Sequence, residues 1–160
     1  MKRKHYLFLA GGVLVLILII LFSQSSKASN YENINSVSED VEIYKSLTCG
    51  CCAVYSQYFD GKTSANVKTF DVQDPETVKR TYGVPTELES CHTTLIDGYF
   101  VEGHIPLEAI EKLLSEMPDI AGIAMPGMPS GSPGMPGQKY APFVIYAVNH
   151  DGTYNEFMRI

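Results

Sequence analysis

The chain opens with an unbroken uncharged run from Tyr6 to Phe22, rich in Leu, Ile and Val, behind the basic residues Lys2, Arg3 and Lys4. Polar residues follow from Ser23 to Asn30. Residues 1–30 thus read as a signal peptide cleaved after Ala28, or as an uncleaved N-terminal membrane anchor at the short limit for a span. Either way the basic end stays in the cytoplasm, and the rest is exported to the periplasm or the outer face of the cytoplasmic membrane. Contact with the membrane is expected only through this segment. Residues 31–40 are polar and read as a linker, and residues 41–160 as one domain.

Within that domain the pattern switches repeatedly between a period of two and a helical period. Val41-Glu42-Ile43-Tyr44 alternates and predicts a strand. A short helix is expected over Ala53–Phe59, with Tyr55 and Phe59 facing a core and Asp60-Gly61 as its stop. Asn66 to Val72 predicts a second strand. The next helix carries signals at both ends: Asp74 as cap, Pro75 at its first position and Gly83 at its end. Thr93–Ile96 and Tyr99–Val101 flank Asp97-Gly98, a two-residue hairpin turn. Pro106 opens a third helix with Leu107, Ile110, Leu113, Leu114 and Met117 as its apolar stripe, ended by Pro118. Gly122 to Gly137 reads as a Met/Pro/Gly/Ser loop. Phe143–Val148 and Thr153–Met158 form an additional C-terminal hairpin around His150-Asp151-Gly152. The order β-α-β-α-β-β-α defines an α/β protein with a thioredoxin-like core, in which a cysteine-bearing loop joins the first strand to the first helix.

Charge narrows the partners. Residues 1–30 hold four of the 12 Lys and Arg and none of the 18 Asp and Glu, so the remainder carries a net charge of −10. Such a domain repels phosphate backbones, which argues against nucleic acid, and weakly attracts cations.

The cysteines point to chemistry. Three of the four (Cys49, Cys51, Cys52 and Cys91) lie within four residues. That crowding suits a metal or a reactive dithiol better than a simple disulfide framework. Cys49 and Cys52 form a C-x-x-C pair at a strand-to-helix turn, where helix N–H groups favour thiolate. Thiolate both attacks disulfides and binds metal. Cys51 tips the balance, because a third thiol scrambles a redox disulfide but simply adds a ligand to a metal. Counting back from Thr93 places Cys91 and His92 where thioredoxin-like proteins set a cis-proline against the cysteine loop. A Cys-His pair there brings donors to the dithiol, or else packs as a satisfied core histidine and a small apolar filler. His104 precedes the third helix. His5 and His150 carry no signal. Met125, Met128 and Met135 sit among prolines and glycines. Their thioethers suit Cu(I) and match Mg²⁺, Ca²⁺ or Zn²⁺ poorly; packing on the core is the alternative role.

These residues carry a family likeness. Tyr44–Cys52, Gly83–Thr93, Asp97–Pro106 and Gly127–Met135 resemble, in order and spacing, the exported proteins grouped as domain-of-unknown-function family 411, often described as metal-binding. Leu47 departs from that pattern, where Pro is common. The resemblance spans about residues 41–158 and implies a thioredoxin-like core and a link to copper handling and resistance.

Three functions follow as expectations. The first is an exported soft-metal protein, for Cu(I) foremost and zinc as the alternative, acting in delivery, sequestration or resistance. Its ligands would be Cys49, Cys52 and Cys91 with His92 or His104. Cys51 would substitute for a thiolate, and Met128 and Met135 would cap the site or pass the ion on. Its partners would be a cuproprotein, an efflux component or another chaperone. The second is a thiol–disulfide oxidoreductase with Cys49 attacking and Cys52 resolving. The third is a disulfide-stapled interaction module.

Overall fold

Strand β1 (Val41–Ser46) organises the molecule, with Val41 and Ile43 fully buried as the alternation requires. The structure, a computed structural model, describes residues 31–160, so the expected signal peptide or anchor lies outside the described residues. Among those residues no helix is long and apolar enough to cross a membrane. The other elements are α1 (Glu32–Ser36), α2 (Gly50–Lys62), β2 (Val67–Val72), α3 (Pro75–Tyr82), β3 (His92–Ile96), β4 (Tyr99–Glu102), α4 (Leu107–Glu116), β5 (Gly122–Ala124), β6 (Val144–Val148) and β7 (Tyr154–Arg159). A 3₁₀ turn, Thr86–Leu88, follows α3.

The seven strands form one mixed sheet in the order β2-β1-β3-β4-β5-β6-β7. Helix α2 is the crossover that lets β2 run parallel to β1, and α4 does the same between β4 and β5. The remaining neighbours are antiparallel. Asp97 and Gly98 both have positive φ (47° and 81°), as a tight β3–β4 hairpin demands. Asp74 caps α3 by accepting from the Thr77 N–H, and Gly83 ends it at φ 74°.

Two cores cover the two faces of the sheet. The larger joins Tyr55 and Phe59 of α2, Ile110 and Leu113 of α4 and Ile34 of α1 to Ile43, Val101 and Ile123 of the strands. The smaller packs Val84 and Leu88, beyond α3, on Phe100, Ala124 and Val148. Each fully buried Ile, Leu or Phe is worth about 1.5–3 kcal/mol relative to exposure.

Four expectations need correcting. Residues 31–40 do not form a plain linker: Ile34 is fully buried, and the Glu111 carboxylate accepts from the Asn33 and Ile34 N–H groups at 2.9 and 3.1 Å. Helix α2 is longer than Ala53–Phe59. It begins at Gly50 and runs through Asp60-Gly61 to Lys62, ending where Thr63 bonds back to the Phe59 carbonyl. Met117 lies outside the apolar stripe of α4; it terminates the helix at φ 44° and is 64% exposed. Gly122–Ala124, expected as loop, is strand β5. A side chain at Gly122 would run into the Phe100 carbonyl and ring, so glycine marks close strand approach rather than flexibility.

Candidate metal centre

The cysteine turn forms because β1 ends at Ser46 and α2 begins four residues later. Cys49 is the N-cap, and its sulfur accepts from the Cys52 N–H at 3.3 Å. Cys49 and Cys52 are joined as a disulfide, with Cα atoms 5.4 Å apart. Cys51 and Cys91 are free and half-buried. The Cys51 sulfur lies 3.5 Å from that of Cys49.

The opposite wall comes from β3 and from the segment after β4. Cys91 precedes β3, His92 begins it, and His104 follows Gly103 two residues beyond β4. Antiparallel pairing sets Thr93 against Glu102, which draws both segments together at one end of the sheet. The Gly103 N–H donates to the His92 carbonyl at 2.9 Å. Gly103 has φ 87°, and a Cβ there would stand 2.6 Å from the Met125 carbonyl. Both imidazoles are fully buried. His92 packs against Tyr55 with ring centres 4.4 Å apart, and edge-on against His104 at 4.8 Å.

The donors converge. Cys91 Sγ is 2.9 Å from His104 Nε2 and 3.4 Å from His92 Nδ1, and Cys52 Sγ is 3.7 Å from the Cys91 carbonyl. Two overlapping groups, Cys49/Cys51/Cys52/Cys91 and Cys52/Cys91/His92/His104, each have all ligand atoms within 4.8 Å of one another, close enough to hold a metal ion once the Cys49–Cys52 disulfide is reduced. His104 Nδ1 lies 2.6 Å from the Pro133 carbonyl, which only accepts, so Nδ1 carries hydrogen and Nε2 presents its lone pair to Cys91. His92 Nε2, buried, has no hydrogen-bond partner among the described residues. A buried nitrogen without a partner is costly, and a ligand in the pocket would change its surroundings.

The electrostatics favour neutral groups. Burial, with Cys51 nearby, pushes the Cys91 thiol up to about 12. Burial lowers the pKa of His104, and burial with the neighbouring His104 and Lys79 pulls His92 well below its ordinary value. The Cys91 thiol therefore donates to a neutral His104, and a metal would replace that shared proton.

The methionine loop covers the centre. Besides Pro133, the Gly127 carbonyl accepts from the Ser90 hydroxyl. Gly134, at φ 81°, is packed so tightly on α2 that a Cβ would stand 2.8 Å from the Cys51 carbonyl. Met128 is 54% exposed, Met135 is half-buried, and Met125 is buried in the larger core. Packing on the core is therefore the role Met125 takes.

All six expected cysteine and histidine donors thus meet in one pocket. His92 is not the satisfied core histidine of the alternative reading. Lys79 and Glu102, which form a buried ion pair behind the pocket, are not among the residues that the sequence singles out. The only available signal was an acid ending the apolar strand Tyr99-Phe100-Val101, immediately before Gly103-His104.

Fold and site define a small mixed α/β protein with a cysteine–histidine pocket able to hold a metal ion. The family model "Protein of unknown function, DUF411" matches residues 88–135, and the chain belongs to this family. Two solved structures are similar to it, both titled "Copper resistance protein copG". Form 2 is 34% identical, with 76% of this chain and 97% of that one covered at a TM-score of 0.69. Form 1 is 34% identical, with 76% and 96% covered at 0.68. No curated protein matches the chain.

Proposed function

We propose that the chain binds a soft metal ion, Cu(I) foremost, outside the cytoplasmic membrane, and serves copper delivery, sequestration or resistance. The observation that carries this is the approach of Cys91 to His104, 2.9 Å, inside two donor groups that share Cys52 and Cys91. Thiolate and imidazole together suit Cu(I) and also Zn²⁺, whereas Mg²⁺ and Ca²⁺ want oxygen. The thioether of Met135 would cap the site and bias it toward copper, and that of Met128, at the surface, would pass the ion on. Similarity to structures titled copper resistance proteins supports the same metal. The order β2-β1-β3-β4, with the cysteine turn between β1 and α2, supports a thioredoxin-like core. Protein partners would be a cuproprotein, an efflux component or a chaperone. The basic, apolar N-terminus supports export. In competition under anaerobic conditions, the reduced full chain is expected to bind Cu(I) more tightly than Zn²⁺. Tighter Zn²⁺ binding, or no binding of either ion, refutes the proposal.

The Cys49–Cys52 disulfide at a helix start favours one further reading, a thiol–disulfide oxidoreductase. That activity would survive Cys91→Ser and His92→Ala, whereas metal binding would be weakened by both.

A further inference from the structure

Behind the pocket, on the other face of β3 and β4 from His92, lies a buried charge network. Glu102, fully buried, receives three donors. Its Oε1 takes the Ser90 N–H at 2.6 Å and an ion pair from Lys79 Nζ, and its Oε2 takes the Thr93 hydroxyl at 2.6 Å. Lys79, itself buried, reaches in from α3 and also donates to Thr93 Oγ1 at 3.3 Å. Ser90 and Thr93 bracket Cys91 and His92, while Glu102 stands two residues before His104. One carboxylate thus joins the two segments that bear the pocket's imidazoles and its free buried-side thiol. The Gly103 N–H to His92 carbonyl bond and the antiparallel pairing of Thr93 with Glu102 tie the same segments through the backbone.

A buried ion pair is a poor way to gain stability, because apolar residues of similar size usually do as well or better. Its worth lies in fixed geometry, and outer-shell groups of this kind hold ligand atoms in place at metal sites. Resting on the metal-binding reading above, we infer that Glu102 and Lys79 are positioning residues for the centre. They lock the Ser90–Thr93 and Glu102–His104 segments in the register that sets Cys91 against His104.

The test replaces the pair with apolar residues, Lys79→Met together with Glu102→Leu, in the full chain. Reduced protein is titrated with Cu(I) against a chromophoric Cu(I) chelator, and the copper K-edge spectrum is recorded. The double variant, which leaves the Ser90 N–H and the Thr93 hydroxyl without their acceptor, is expected to melt lower but fold, to bind Cu(I) about tenfold to a hundredfold more weakly, and to lose imidazole scattering. A folded double variant with affinity within about twofold of wild type and an unchanged spectrum overturns the inference. If the double variant does not fold, Thr93→Val decides. It removes one tie to the carboxylate and is expected to weaken binding about tenfold, with the same spectral loss; unchanged binding overturns the inference. Wild-type protein that fails to bind Cu(I) instead sinks the metal-binding reading and this role with it.

Discussion

The two walls of the pocket are built differently. The cysteine turn sits at a helix start, with Cys49 and Cys51 half-buried and Cys52 buried, all three presented by local backbone geometry. The imidazoles of the histidine wall are fully buried, and its donors come from segments held together by sheet register, a glycine at positive φ and a buried ion pair. The difference suggests a division of labour. An accessible sulfur edge can exchange an ion with a partner, while a rigid interior edge sets the geometry in which it is held. Cys52 and Cys91 appear in both donor groups, and Cys91, the free thiol of the two, also touches both imidazoles, so it belongs to both walls.

Substituting that shared residue should have the largest effect. Cys91→Ser is expected to weaken Cu(I) binding more than the roughly hundredfold that outer-shell changes cost. Chelator competition measures it, and a loss under about tenfold would break the idea that Cys91 links the walls. Cys51→Ser touches the sulfur wall alone. It should cost about tenfold in the same assay, and a loss equal to that of Cys91→Ser would erase the distinction.

Gly134→Ala probes the cover. The new Cβ meets the Cys51 carbonyl at a positive φ, so stability should fall by about 1–3 kcal/mol, read from chemical denaturation. Because Pro133 next to it holds His104, metal release should also quicken.

The histidine wall predicts a pH effect of definite sign. His92 and His104 have folded-state pKa values below 6.5, so the unfolded chain binds more protons as pH falls through that value. Metal-free protein is therefore expected to be fully stabilised above pH 6.5 and to lose stability below it. Denaturation midpoints at pH 7.5 and 5.5 check this. A midpoint unchanged, or higher at the lower pH, contradicts buried neutral imidazoles. The smallest effect belongs to Met128, which is 54% exposed. Met128→Ser should leave equilibrium affinity within about twofold and slow only transfer to an acceptor, as stopped-flow exchange would show.

The same contrast explains what was legible in the sequence. The cysteine turn could be read directly because a capped helix start is local. Cys91 and His92 were reached by counting back from a strand to the place opposite that turn, so they depended on the order of elements. Strand β5 was hidden because Gly122 looks like a loop residue, although it is there for close contact with Phe100. The pairing of Lys79 with Glu102 spans 23 residues and joins a helix to a strand end, and no spacing rule announces it. Met125 shared a composition with Met128 and Met135, yet only the fold shows that it completes the larger core.

The central claim is that sulfur from one wall and nitrogen from the other surround the same ion. X-ray absorption on the reduced full chain loaded anaerobically with Cu(I) tests it most directly. The account predicts sulfur scatterers near 2.3 Å together with imidazole nitrogen near 2.0 Å, about the distances such donors take at metals. A shell of oxygen or nitrogen alone, or sulfur with no imidazole, would contradict it.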